Sequence, residues 1–124
     1  MSAFKTAVAA AILVSLAGIA HAAGDAAKGK AAFQRCAICH RAEKDGGNGL
    51  GPNLFGVVGR KAGIVENFAY SSAMKNSGIT WTPEKLTAYI EHPASVVPGN
   101  RMAFAGIGNA EQRADVVAYL ATLK

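Results

Sequence analysis

The chain has 124 residues, a net charge of +5 at neutral pH and two cysteines; that length bounds it to one domain with a modest core. Its basic residues are scattered rather than clustered, which argues against nucleic acid and leaves a mild preference for acidic surfaces. No apolar run reaches the roughly 20 residues that a membrane span needs, so no stable membrane anchor is expected.

The first element is a leader. Lys5 gives a positive start, Ala7 to Ala20 is apolar and uncharged, and Ala20-His21-Ala22 is a small-x-small stretch. That order is the layout of a secretory signal peptide. Residues 1–22 are read as the signal peptide and residues 23–124 as the mature domain, 102 residues of net charge +4. Export in a bacterium delivers such a chain to the periplasm, where disulfides are permitted.

Asp25 can cap a helix running through Ala37, with Ala26, Phe33 and Ala37 at helical spacing. Residues 42–63 hold seven glycines among 22 residues, together with Pro52. A loop this long is uncommon unless it is functional or wraps something. A short helical turn is expected between Tyr70 and Ser77. Thr82-Pro83-Glu84 starts a helix, with Thr as cap and Pro in the first position. Leu86, Tyr89 and Ile90 share one face of it, and His92-Pro93 ends it. Asn109 caps the last helix, with Gln112 reaching back from the third position. Val116, Val117, Leu120 and Leu123 form its apolar stripe. No alternating strand pattern appears. The expected fold is all-α: three main helices, short helical turns and long loops around a group they cannot replace with their own side chains.

Both cysteines lie in "QRCAICHRAEK", residues 34–44. A redox dithiol belongs with a strand–helix alternation that this chain lacks. A structural zinc site needs four ligands, and beyond the motif only His92 remains in the mature chain. A plain disulfide leaves His40 unexplained. C-x-x-C-H is the attachment motif of haem c. Cys36 and Cys39 are three apart, so on a helical turn they face the same way and each thiol can add to one vinyl group. His40 follows directly and can present its imidazole to the iron. The other side of the iron is open or is filled by Met74, Met102 or His92. A lone methionine is more often core filler than ligand. Met102 differs in its setting, the irregular loop "VPGNRMAFAGI", whereas His92 suits an exposed helix end.

From Gly24 to the C-terminus the chain resembles the class I c-type cytochromes, the mitochondrial type and its short bacterial soluble relatives. The likeness runs in order through "CAICH", "GLGPNLFGVVGRKAG", "FAYSSAMKNSGITW", "AYIEHP", "PGNRMAFAGI" and "DVVAYL". It implies a cytochrome c fold with one haem covalently held by Cys36 and Cys39, and with His40 and Met102 as axial ligands. It further implies that the Pro52 carbonyl accepts a hydrogen bond from the His40 ring and that the Tyr89 hydroxyl lies near the Met102 sulfur. Arg60, Tyr70 and Trp81 are implied to reach the haem propionates. Gly29, Phe33, Val116 and Tyr119 match the family's contact between first and last helices.

Three positions depart from the family's pattern. Met74 stands where mitochondrial members often carry an asparagine bonded to a buried water, so a drier site and a raised potential are expected. Asn100 replaces the usual threonine and is expected to donate to a propionate or to water. Gly49, Ala94, Ser95, Gly108 and Asn109 occupy places where mitochondrial members ring the haem edge with lysines, while Arg35 and Arg101 remain. The expected function is one-electron transfer, not catalysis. The donor is a quinol-oxidising complex or dehydrogenase, and the acceptor a terminal oxidase, peroxidase or photosynthetic reaction centre. Partners are redox proteins that dock near Arg35, Arg101 and Phe104 on a monomer. The alternative is a peroxidase-like or gas-binding haem protein with a labile methionine.

Overall fold

The computed structural model describes residues 24–124; the expected signal peptide, residues 1–22, lies outside the described residues. Asp25 opens α1 (Ala26–Ala32), its carboxylate accepting the N–H groups of Ala27 and Lys28 at 2.9 and 3.1 Å. The single helix expected through Ala37 is two pieces, because α2 (Gln34–Ala37) follows a break at Phe33. The Phe33 carbonyl accepts the Cys36 N–H at 2.7 Å, a three-residue bond that tightens the turn. Ala37, expected on the apolar face, is exposed.

Ser71 caps α3 (Ser72–Lys75) by accepting the Met74 N–H at 3.0 Å. Thr82 caps α4 (Pro83–Glu91) in the same way through Lys85, and α4 buries Leu86 and Tyr89. Pro93 does more than end α4. It opens a further turn, α5 (Pro93–Val96), since proline suits the first helical position where its missing N–H is not needed. Asn109 caps α6 (Ala110–Ala121) through the Gln112 N–H at 2.9 Å. Among the described residues the reciprocal bond from the Gln112 side chain is absent. Val116, Val117 and Leu120 are buried, and Leu123 packs half-buried against them. Among the described residues no strand forms; Lys61 and Thr80 make an isolated antiparallel bridge.

The first and last of the long elements, α1 and α6, pack together. Their backbones approach so closely that a β-carbon on Gly29 would stand 1.9 Å from the Asp115 carbonyl oxygen. Phe33 and Tyr119 close the contact with rings 5.1 Å apart at 56°. The Asp25 N–H donates to the Asp115 carboxylate at 2.7 Å. Val57, Ala62, Trp81, Val97 and Ile107 join the core from the loops, and Met74 joins it from α3.

Candidate functional site

The turn that follows α2 gathers the motif. The N–H groups of Cys39 and His40 both donate to the Cys36 carbonyl, at 3.0 and 2.8 Å, so the three residues wind around one helical turn. Both thiols are free and half-buried. Burial pushes the Cys36 thiol up, the reverse of the depressed thiolate that a redox dithiol uses. Among the described residues no cluster of three or more His, Cys, Asp or Glu side chains could hold a metal ion.

His40 Nδ1 lies 2.7 Å from the Pro52 carbonyl oxygen. A carbonyl only accepts, so Nδ1 carries the proton and Nε2 keeps its lone pair for a metal. Burial holds the imidazole pKa below its ordinary value; the Pro52 bond opposes this and the Arg60 charge adds to it. Gly51 makes room for the ring: a β-carbon there would stand 2.5 Å from His40 Cε1 and 2.7 Å from Nδ1. The Gly51 N–H donates to the Cys39 carbonyl at 2.9 Å, which ties this loop to the motif.

Met102 is half-buried, with its sulfur 4.0 Å from the Tyr89 hydroxyl, a long bond to a weak acceptor. Burial pushes Tyr89 up to about 12, so its proton stays in place near neutral pH. The Met102 N–H donates to Asn100 Oδ1 at 2.8 Å, and Asn100 Nδ2 donates to the Val97 carbonyl at 2.9 Å. One Asn100 amide hydrogen is thereby used within its own loop; the second is left over, so the expected bond to a propionate or water keeps a donor. Met74 is buried in the core and His92 is exposed at the end of α4.

Arg60 and Trp81 are brought side by side by paired loops. Gly59 N–H donates to the Trp81 carbonyl and Trp81 N–H to the Arg60 carbonyl, both at 2.8 Å. The Arg60 guanidinium donates to the carbonyls of Phe55 and Asn53, each at 3.0 Å, and burial lowers its pKa. The Trp81 indole is buried and packs on Tyr89, ring centroids 4.9 Å apart. The Tyr70 hydroxyl accepts the Val65 N–H at 3.2 Å, which leaves its own O–H available to donate. Burial raises the Tyr70 pKa, while the Val65 bond and the Arg60 charge pull it down. Arg35 and Arg101 are exposed, as are Gly49, Ala94, Ser95, Gly108 and Asn109; Phe104 is half-buried against the core.

The sequence reasoning missed Gly51, the amide of Asn100, and Arg113. Arg113 is 9% exposed and donates from Nη1 to the carbonyls of Ile107 and Gly108, both at 2.8 Å. Its Nη2 lies 3.7 Å from the Glu91 carboxylate, and among the described residues its buried Nε has no partner. A signal existed: Arg113 precedes Val116, Val117 and Leu120 at three, four and seven positions, so a charge sits on the buried face.

Two free thiols and a neutral imidazole on one turn, with a room-making glycine beside the ring, form a donor set that fits a covalently tethered haem. The family model for cytochrome c matches residues 26–124. A cytochrome c2 of Rhodomicrobium vannielii is 49% identical over 98% of this chain and 97% of its own length. A cytochrome c of Trypanosoma brucei brucei is 53% identical over 67% of this chain and 89% of its own. Among solved structures, cytochrome cH from Methylobacterium extorquens superposes with a TM-score of 0.76 at 45% identity. The alignment covers 80% of this chain and 99% of that one. The chain therefore belongs to the cytochrome c family, electron carriers rather than enzymes, and carries one haem c bound through Cys36 and Cys39.

Proposed function

We propose that the chain is a periplasmic one-electron carrier whose haem c iron is ligated by His40 and Met102. It shuttles electrons from a quinol-oxidising complex or dehydrogenase to a terminal oxidase, a peroxidase or a photosynthetic reaction centre. The observation that carries the reading is a ring nitrogen turned to a metal by its neighbour and a half-buried thioether sulfur beside a buried hydroxyl. The Pro52 carbonyl holds the His40 ring at 2.7 Å and the Tyr89 hydroxyl stands 4.0 Å from the Met102 sulfur. When bound, haem c supplies a reversible one-electron couple, and a thioether ligand sets it high.

The chain's own residues do the rest. Two protein ligands leave no coordination position for a substrate. The apolar side chains of the core keep water from the buried face of the site. Arg60, Tyr70 and Trp81 offer donors to the propionates, with Arg60 stiffened by its two carbonyl bonds. Redox partners dock near Arg35, Arg101 and Phe104, and the chain works as a monomer. The export-type start of the sequence supports the periplasm, with residues 1–22 removed. Among the described residues no helix is long and apolar enough to cross a membrane.

The test is the optical spectrum of the haem-loaded full chain with and without Met102→Ala. The weak far-red ferric iron–sulfur band is expected in the unsubstituted protein and lost in the variant. An unsubstituted protein that lacks the band, and whose reduced form takes up carbon monoxide readily at neutral pH, sinks the methionine assignment.

A further inference from the structure

We propose that Asn100 is the positioning residue for the Met102 thioether, an inference that rests on methionine ligation. The local sequence explains the device. Val97-Pro98-Gly99-Asn100 forms a β-turn closed by the Asn100 N–H on the Val97 carbonyl at 3.1 Å. Pro98 suits the second position, and Gly99 supplies the positive φ, +85°, that the third position of a type II turn requires. Such a turn reverses the chain but does not by itself fix the residues beyond it.

Asn100 adds that second constraint. Its Nδ2 donates back to the Val97 carbonyl at 2.9 Å, and its Oδ1 accepts the Met102 N–H at 2.8 Å. One planar amide thus clamps the first residue of the turn to the residue that carries the sulfur. Asparagine is suited to this because its side chain has a donor and an acceptor in one rigid group. Farther along, the Phe104 N–H donates to the Met102 carbonyl at 2.9 Å, so Met102 is held on both sides. The Tyr89 contact at 4.0 Å is too long to hold the thioether alone. With the clamp in place, a released methionine returns to the same position. Without it, the loop samples other conformers and an external ligand competes better.

The test titrates imidazole into the ferric haem-loaded protein and follows the far-red iron–sulfur band. Asn100→Ala removes both side-chain bonds. It is expected to keep the band without imidazole but to lose it at about tenfold lower imidazole concentration, equivalent to about 1.4 kcal/mol. Asn100→Asp keeps the acceptor but not the donor and should fall between. Asn100→Ser, whose shorter hydroxyl can still accept the N–H two residues on but does not replace the Nδ2 bond, should also fall between. That graded order is not expected of a residue that only stabilises the fold. If Asn100→Ala retains the band and matches the unsubstituted protein in imidazole affinity within twofold, the inference is overturned while methionine ligation stands. A band missing from the unsubstituted protein overturns the ligation reading, and this inference with it.

Discussion

The α1–α6 contact and the loops that carry the site are built by different means. The helix pair rests on close backbone approach and apolar contact: Gly29 against the Asp115 carbonyl, Phe33 against Tyr119, Val116 in the core. The loops, residues 42–63 and 97–108, have little regular structure and are held by polar brackets. Arg60 spans two carbonyls, Asn53 accepts the Phe55 N–H at 2.9 Å, and Asn100 clamps Val97 to Met102. The difference teaches a division of labour. Packing of this kind fails when volume changes, whereas a bracket fails when one donor or acceptor is removed. Stability and ligand geometry should therefore be separable by mutation.

The largest expected effect is Gly29→Ala. The new β-carbon meets backbone that cannot move aside, and a loss of about 3 kcal/mol is expected from overpacking. Denaturant unfolding of the haem-loaded protein measures it, and the far-red band before denaturant is added should be unchanged. A variant that loses band and stability together breaks the proposed separation. Next comes Arg113→Met, which keeps the bulk but leaves the carbonyls of Ile107 and Gly108 without their donor. About 2 kcal/mol should be lost. Here imidazole should also displace the methionine more easily, because Arg113 is rooted in α6 yet holds the end of the ligand loop. Its ion pair with Glu91 is secondary, since Glu91 is 43% exposed and such pairs contribute little.

Met74→Asn addresses dryness rather than packing. The side chain is 9% exposed, and a polar amide there favours the more highly charged ferric state. The midpoint potential should fall by about 40 mV, the one-electron equivalent of about 1 kcal/mol. Redox titration that finds it unchanged or raised removes the argument. The smallest effect concerns the surface. With Gly49, Ala94, Ser95, Gly108 and Asn109 exposed and uncharged, association with an acidic partner should lose speed with salt only about half as steeply as for a lysine-ringed relative. Stopped-flow rates against ionic strength decide this, and an equal slope rejects it.

The caps were legible in the sequence because each is a local interaction: Asp25, Thr82 and Asn109 each cap the helix expected of them. The haem attachment was legible for the same reason, since Cys36, Cys39 and His40 fall within one turn. The features that stayed hidden depend on atoms far apart in sequence or on which of two uses a side chain takes. Pro93 carries one signal for an end and another for a start, and it serves as both. Asn100 reads from the sequence as an outward donor, whereas its oxygen and one amide hydrogen fold back across the turn at Gly99. Arg113 broke the apolar stripe visibly, but its carbonyl partners on Ile107 and Gly108 depend on where the loop passes. Gly51 read as one loop glycine among several until the His40 ring was placed against it.

The clasp between Asp25 and Asp115 joins positions 90 apart, so nearly the whole described chain is a closed ring. In a flexible ring the entropy of closure grows only as the logarithm of length, about 0.6 kcal/mol for each doubling. Residues inserted into the exposed parts of 42–63 lengthen that ring at little thermodynamic cost. A grafted recognition segment there is an economical way to change which partner the carrier meets, provided the α1–α6 contact at Gly29 is left alone.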